Sequence, residues 1–470
     1  MTTPIIPQQS TGVFALEIQP GQSSRVFRQL GGAMLEEQHF LPQVSRLLRR
    51  EVWVILAPAS TSSADLRVPG VINVEGSAEH IFYAAVQPMR PLFPPPVEAT
   101  TPGIEGISDQ ELGEVLYPIP VRDTAREMPL GAPGLFLGPP VERPSLGSWQ
   151  EILDSLEAEA AWEMSQGEGS IIAVIDTGVD GSRISPGQKL WGWADHPELD
   201  PWQDGVGHGT MVAMIAAGRG QEGFMGVAPM AQLVSLRLRA NEKGALPTAS
   251  LLRALDQALW LRRESGRRVI LNNSWGLYGC KSLLLPCSIL VTRVIAAADR
   301  VGAFLSVWAA GNNRHICDQP VTNYCMNSLP ADVSVAAVTR QLWPQFYSSA
   351  GGQCYSLSPT CAAPTYGVLP WGAGFRDFGE QGGGTSSCAP MASGAVAILN
   401  SLYPRLASRQ LRAAIRASAR PINPNRPYEL HDPLTGAGLL QIAGAVRAAP
   451  TAAEHPSYAY ERDFPSTVRG

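Results

Sequence analysis

The stretch IIAVIDTG, residues 171–178, decides the fold class. An unbroken apolar run that ends in a carboxylate and a turn is typical of a buried strand leading to the binding crevice of an open α/β sheet. Short apolar strands then alternate with amphipathic helices. We therefore predict an α/β domain of three layers with a mainly parallel sheet. The predicted strands are 171–175, 233–238, 269–272, 304–309 and 333–338, and the predicted helices are 211–217, 249–262, 389–403 and 409–419.

The first 89 residues predict a separate small α+β module. A strand at 13–18 precedes a helix that has one apolar face and ends before Pro42, and further strands are predicted at 52–56 and 81–86. Residues 90–148 read as a linker rich in proline and glycine. We place the large domain at 149–448 and a C-terminal tail at 449–470.

Composition excludes several classes of function. The chain has 470 residues, of which 45% are hydrophobic and 16% charged, enough for one large core and a smaller one. The formal net charge of −5 comes without a basic face, so we expect no nucleic-acid partner. No apolar stretch of the sequence reaches the roughly 18 to 20 residues that a membrane helix needs. Residues 1–10 lack the basic start and apolar core of a Sec-type signal. No membrane partner is therefore expected.

Seven cysteines occur, all between Cys280 and Cys388. Six of them form three close pairs whose gaps are longer than those of zinc knuckles, so we predict short disulfide-closed loops and no metal site. Disulfides indicate an oxidising compartment, whereas the missing signal peptide argues against one, and localisation stays open. The predicted pairs are Cys280 with Cys287, Cys317 with Cys325, and Cys354 with Cys361.

Three motifs carry side chains suited to acyl transfer. Asp176 ends the strand in IIAVIDTG. A DTG triplet also occurs in aspartic proteases, but these need a second such aspartate, and the sequence contains no other DTG or DSG. His208, in GVGHGTMVA, begins a predicted helix whose positive end favours a neutral imidazole. Ser386, in GGGTSSCAP, precedes a long apolar helix whose first amides can steady negative charge. Each motif alone also suits a structural role, and the combination indicates a nucleophilic site.

In chain order these motifs resemble the subtilisin family: IDTGVD at Asp176, GHGT at His208 and GTSSCAP around Ser386. AAGNN adds Asn312 at the oxyanion position of that family. The resemblance covers about residues 149–448 and implies a serine endopeptidase that works through an acyl-enzyme. It also includes NNSWG at 272–276, MGVAPMAQLVSL at 225–236 and GAGLLQIAGAV at 436–446.

The resemblance implies a role for each motif residue. Ser386 would attack the scissile carbonyl, His208 would move the proton, and Asp176 would orient the imidazole. Asn312 and the Ser386 amide would donate to the oxyanion. Extended polypeptide substrates would lie as an added strand between two segments of the chain. These segments are Ser274, Trp275 and Gly276 on one side and Gly244, Ala245 and Leu246 on the other.

The chain departs from the family pattern at several positions. Met211 and Met391 replace histidines of many members, and we expect both to pack as apolar residues. Cys388 is expected to be a buried small residue and not a second nucleophile. The segment after Asp180 lacks the calcium-binding aspartate of many members, so we predict neither a calcium site nor a cofactor. Asp318 would favour basic substrate residues if it reached the pocket floor.

Two further readings remain open. A pseudoprotease would bind peptides without cleaving them, but such proteins usually lose a residue of the triad or the oxyanion site, and all four are present here. The enzyme could instead be a dedicated maturation protease. In that case residues 1–89 would recognise one precursor. Otherwise we expect them to be a propeptide that covers the cleft of their own catalytic domain.

Overall fold

The computed structural model describes residues 11–30, 37–58, 61–76, 81–82, 147–221, 223–239, 245–277, 279–280, 287, 289–317, 319–330, 332–423 and 431–454. Within these residues, no helix is long and apolar enough to cross a membrane. The linker interpretation falls almost entirely outside the described residues.

The N-terminal module is a four-stranded antiparallel sheet in the order β2-β3-β1-β4, with two helices. Alternate residues of β1, namely Phe14, Leu16 and Ile18, enter a small core with Val26 and Leu30, as the two-residue period of a strand requires. The elements are β1 (Thr11–Ile18), α1 (Ser23–Leu30), β2 (Glu37–Phe40), α2 (Pro42–Leu48), β3 (Glu51–Pro58), β4 (Val71–Gly76) and β5 (Ile81–Phe82).

The large domain is built on a seven-stranded parallel sheet in the order β15-β14-β13-β12-β6-β10-β7. Its strands are β6 (Ile171–Asp176), β7 (Lys189–Ala194), β10 (Gln232–Arg237), β12 (Val269–Asn273), β13 (Phe304–Ala309), β14 (Val333–Val338) and β15 (Cys361–Pro364). Short strands outside this sheet are β8 (Arg219–Gln221), β9 (Phe224–Met225), β11 (Ala245–Leu246), β16 (Val368–Trp371) and β17 (Gly374–Asp377).

Helices cover both faces of this sheet, which confirms the predicted three-layer fold. They are α3 (Gly147–Ser155), α4 (Ala158–Trp162), α5 (His208–Ala217), α6 (Thr248–Ser265), α7 (Leu290–Arg300), α8 (Thr385–Leu402), α9 (Ser408–Ser418) and α10 (Ile442–Ala448). The central strand β6 is buried throughout. Ile172 and Val174 face the core shared with α5 and α8, whereas Ile171, Ala173 and Ile175 face the core shared with α6 and α7.

The N-terminal module shares the second of these cores. Val44 on α2 and Val52 and Val54 on β3 belong to the same buried cluster as residues of α6 and α7. Helix α2 contacts both of these helices. The small module is therefore docked on the large domain through apolar side chains.

The predicted pairing of the cysteines is wrong. Cys280 bonds to Cys317, with Cα atoms 5.3 Å apart, and Cys287 bonds to Cys354, with Cα atoms 5.8 Å apart. Cys280 follows β12 and Cys317 follows β13, and these are neighbouring parallel strands. Their carboxyl ends meet at one edge of the sheet, so cysteines distant in sequence come together there.

The other three cysteines, Cys325, Cys361 and Cys388, are buried and lie outside these two disulfides. Burial raises the pKa of the Cys325 thiol to about 12. The same cause, partly opposed by nearby arginines, raises the pKa of the Cys361 thiol to about 12. These thiols are therefore protonated and inert in the folded protein.

Removing the Cys287–Cys354 disulfide should lower the stability of the protein substantially. The bond spans 67 residues of sequence, and the chain-entropy model assigns about 4 kcal/mol to a loop of that size. We expect Cys287→Ala/Cys354→Ala to lose about this free energy of unfolding in denaturant titrations without reductant. Wild type titrated with reductant serves as the comparison. A decrease of less than about 1 kcal/mol in the free energy of unfolding of the double variant would contradict the entropic account.

Candidate active site

Asp176 lies at the carboxyl end of β6, between the neighbouring strands β10 and β12. Its side chain is buried, and its Oδ1 accepts a hydrogen bond of 2.7 Å from the amide of Thr177. Helix α5 begins directly against this turn. A Cβ atom at Gly209 would lie 2.0 Å from the carbonyl oxygen of Gly178, so only glycine permits this close approach.

His208 and Asp176 form a buried pair. The distance from His208 Nδ1 to Asp176 Oδ1 is 2.8 Å, and both side chains have no exposed surface. Because the Asp176 carboxylate can only accept a hydrogen bond, His208 Nδ1 must donate it. We therefore assign the proton to Nδ1 and the lone pair to Nε2. His208 Nε2 has no hydrogen-bond partner among the described residues. The imidazole is thus oriented as a base with its accepting nitrogen unoccupied.

Asp204, which is not among the predicted site residues, holds the turn after β6 and the start of α5 together. Its Oδ1 accepts from the Thr177 hydroxyl at 2.8 Å and the Gly207 amide at 2.8 Å, and its Oδ2 accepts from the Thr210 amide at 2.9 Å and hydroxyl at 2.7 Å. A carboxylate just before a helix is an N-terminal capping signal. The position of Asp204, four residues before His208, could have revealed it.

Ser386 lies in the first turn of α8, next to the segment that follows β12. The Ser386 hydroxyl donates to the carbonyl oxygen of Ser274 at 3.2 Å, and the Ser274 hydroxyl donates to the carbonyl oxygen of Ser386 at 2.9 Å. These reciprocal bonds fix the backbone of the two segments side by side. In this structure the Ser386 hydroxyl therefore bonds to Ser274 and not to His208.

Asn312 joins the loop after β13 to the start of α8. Its Oδ1 accepts from the amide of Thr385 at 3.2 Å and from the hydroxyl of Thr385 at 2.9 Å. The Thr385 hydroxyl in turn accepts from the amide of Gly311 at 3.2 Å. Because Oδ1 is fixed by two donors, the orientation of the amide group is defined and Nδ2 forms its donating edge. The donating Nδ2 therefore belongs to a side chain that is hydrogen-bonded to Thr385, the residue directly before Ser386.

The segment Ser274, Trp275 and Gly276 is held by Asn327. Asn327 Nδ2 donates to the carbonyl oxygens of Trp275 at 3.0 Å and Ala309 at 2.8 Å. A Cβ atom at Gly276 would lie 2.4 Å from this amide nitrogen. The Trp275 side chain is fully buried, so this residue could serve a substrate only through its backbone.

On the other side, Ala245 and Leu246 form β11, which pairs antiparallel with Ile81 and Phe82 of β5. The structure thus places an extended segment from the end of the N-terminal module against one of the two predicted substrate-binding segments. Gly244 and Asp318 lie outside the described residues.

Met211, Met391 and Cys388, three positions at which the chain departs from the family pattern, are buried, as expected. Met211 on α5 and Met391 on α8 lie in the core cluster that joins these two contacting helices. Cys388 Sγ lies 3.3 Å from the carbonyl oxygen of Ala363, and burial raises the pKa of its thiol. Among the described residues, no group of three or more His, Cys, Asp or Glu side chains is placed to hold a metal ion.

The parallel sheet, the buried aspartate–histidine pair and a serine at a helix start are the features of a serine hydrolase. The family model described as "Subtilase family" matches residues 167–445. The chain belongs to the subtilase family, and it is a serine-type endopeptidase that hydrolyses peptide bonds in polypeptides.

Three comparisons illustrate this relationship. The chain is 27% identical over 394 residues to Mycosin-3 of Mycobacterium tuberculosis, covering 70% of this chain and 80% of the mycosin. It is 27% identical over 279 residues to Subtilisin E of Bacillus subtilis, covering 59% of this chain and 65% of the subtilisin. Fervidolysin from Fervidobacterium pennivorans superimposes with a TM-score of 0.61 at 19% identity, over 94% of this chain and 62% of that chain, which supports the fold alone.

Proposed function

We propose that Asp176, His208 and Ser386 form the catalytic triad, with Asn312 as an oxyanion donor. The observation that carries this proposal is the 2.8 Å bond between Asp176 Oδ1 and His208 Nδ1, with both side chains buried. A carboxylate in this position holds the imidazole in the tautomer whose Nε2 can accept a proton and stabilises the imidazolium that then forms.

The chemistry follows from these positions. The Ser386 hydroxyl turns from the Ser274 carbonyl to His208 Nε2, and its oxygen attacks the scissile carbonyl carbon while its proton passes to Nε2. The C–N bond then breaks as the imidazolium protonates the leaving amine. Water repeats the two steps on the acyl-enzyme and releases the acid. Asn312 Nδ2 and the amide of Ser386 at the start of α8 donate to the oxyanion in both tetrahedral intermediates.

Asn312→Ala should lower kcat by about 10² to 10³, with a smaller change in KM, because its contact forms mainly in the transition state. The magnitude comes from the corresponding asparagine of subtilisin. Steady-state kinetics on a peptide substrate provide the measurement, and circular dichroism checks that the variant is folded. A raised KM with unchanged kcat would show that Asn312 serves ground-state binding instead.

We also propose that extended peptides bind between residues 274–276 and 244–246. In support, the Ser274 carbonyl lies within hydrogen-bond distance of the Ser386 hydroxyl, and β11 already pairs with the strand β5. Backbone pairing would give affinity for many sequences, and pockets for alternate side chains would give specificity.

The N-terminal module is proposed to be a propeptide that docks on its own catalytic domain and covers the cleft. Asp256 on α6 supports this role because its Oδ1 accepts from the amides of Gln43 at 2.7 Å and Val44 at 2.8 Å. It thereby caps the first turn of α2 from the other domain. Glu17 on β1 adds a two-pronged ion pair with Arg293 on α7, with distances of 2.6 and 2.9 Å.

Arg293→Ala should weaken inhibition by the separately expressed N-terminal module. Glu17 is 1% exposed, and loss of its cation leaves a buried carboxylate without charge compensation. This costs roughly 2 kcal/mol or more, which is about a thirtyfold rise in the inhibition constant. The measurement is peptide hydrolysis by the chain from about residue 146 onward, titrated with the module.

Arg300→Ala is the matched control, because Arg300 is an exposed residue at the end of the same helix and should leave the inhibition constant unchanged. Undiminished hydrolysis at saturating module, together with normal folding of the truncated enzyme, would contradict the propeptide role. That result would favour a module that recognises one precursor.

The two disulfides of the described residues indicate an oxidising compartment. We propose that the enzyme acts there and that its chemistry needs no metal. The expectation that it lacks a structural calcium ion stays a prediction.

A further inference from the structure

A second site is suggested by a cavity at the edge of the sheet that carries the amino ends of the strands. The cavity has a volume of about 530 Å³ and is lined by segments that precede β6, β12 and β13 and by the end of α8. Asp176 lies at the opposite end of β6, six residues and about 20 Å along the strand. The cavity is therefore separate from the catalytic residues.

Four arginines line this cavity, which we call the arginine cavity: Arg262, Arg267, Arg268 and Arg405. Among the described residues that line the cavity, Glu168 is the single acidic side chain. The chain as a whole carries a formal net charge of −5, so a local excess of three positive charges runs against its overall balance. Arg405 is exposed and the other three arginines are half-buried. Water therefore solvates these charges in part, and their local excess attracts anions.

None of the four guanidinium groups forms an ion pair among the described residues. Arg267 donates to the carbonyl oxygen of Gly169 at 3.2 Å and to Gln232 Oε1 at 2.9 Å. Arg268 donates to the carbonyl oxygens of Leu406 and Pro404. These acceptors are neutral, so they orient the side chains without cancelling their charge.

Arg262 and Arg405 have side chains without a hydrogen bond or ion pair within the described part of the chain. They come from different elements, since Arg262 lies in the last turn of α6 and Arg405 follows α8. All four arginines line the same cavity, and burial, followed by the charge of Arg262, lowers the pKa of the Arg268 guanidinium. An anion between them could take bidentate bonds from more than one side.

We propose that the arginine cavity binds a tetrahedral oxyanion, namely hydrogen phosphate or a phosphomonoester. A tetrahedral anion presents several oxygens to guanidinium groups that approach from different elements, whereas a monocarboxylate offers two oxygens and one charge. Sulfate has the same tetrahedral shape and two negative charges, and it should bind with similar affinity.

Binding can be measured on the full chain with inorganic phosphate by isothermal titration and by the thermal unfolding midpoint. We expect saturable binding of phosphate, and about tenfold weaker binding of acetate, which offers two oxygens and one charge. Arg262→Gln/Arg405→Gln should reduce phosphate affinity by about tenfold or more. Arg263→Gln/Arg409→Gln removes the same charge from the same two neighbourhoods outside the cavity lining and should stay within about twofold of wild type.

Two further measurements locate the phosphate source and keep the result separate from catalysis. Flotation with phosphatidylcholine vesicles that contain phosphatidic acid would show capture by a lipid headgroup, and phosphate binding without flotation would show a soluble ligand. Peptide hydrolysis should be equal in both double variants. No saturable phosphate binding beyond that of sodium chloride at equal ionic strength, or equal loss in the two double variants, would overturn the proposal.

Discussion

Ser386→Ala is expected to abolish peptide hydrolysis, with kcat falling by about 10⁶, the magnitude measured for the corresponding serine of subtilisin. Without the hydroxyl oxygen no acyl-enzyme can form, and His208 has no proton to take. The fold should survive, because the hydroxyl makes one described hydrogen bond, to the Ser274 carbonyl. Steady-state rates on a peptide substrate and the thermal unfolding midpoint provide the measurements.

Ser401→Ala is the matched control for this variant. Ser401 lies in the same helix, at its opposite end, where its hydroxyl accepts from Ser165 at 3.1 Å. We expect hydrolysis near the wild-type rate. Turnover by Ser386→Ala within about tenfold of wild type would contradict the assignment of the nucleophile.

Asp176→Asn should lower kcat by about 10⁴ while leaving the protein folded. The carboxamide would donate to His208 Nδ1 across the present 2.8 Å contact, which places the imidazole proton on Nε2. In that tautomer His208 cannot accept the proton of Ser386. The expected loss is smaller than for Ser386→Ala because the nucleophile and the oxyanion donors remain.

Asp180→Asn tests whether any carboxylate near this turn would have the same effect. Asp180 follows the same strand, but its Oδ1 accepts from Ser182 and not from the histidine. Its substitution should change the rate by no more than about twofold. Equal losses in the two variants would show that general electrostatics, and not the orientation of His208, explains the result.

The sequence predicts the central architecture well because burial imposes strong patterns there. Strand β6 is buried on both faces, so it appears as an unbroken apolar run. Strand β7 was missed because it is half-buried and reads KLWGWA, with neither an apolar run nor strict alternation. Strand β15 was missed because four residues ending in proline give too short a signal.

Contacts between distant segments could not be predicted from local patterns. The cysteine pairing depends on which strands are neighbours in the sheet, and proximity in sequence gave the wrong pairs. The capping of α2 by Asp256 joins residues more than 200 positions apart. Asp204 is different, because a capping carboxylate just before the helix that begins at His208 can be predicted from the sequence alone.

Covalent labelling with a fluorophosphonate tests the central claim most directly, because only a serine activated by a neighbouring base reacts. The measurement uses a preparation with measurable peptidase activity and maps the adduct by peptide mass spectrometry. We predict one adduct per chain, on Ser386, and none on the Ser386→Ala variant. An active preparation that takes up no label, or that carries it on Ser274 or Ser387, would contradict the account.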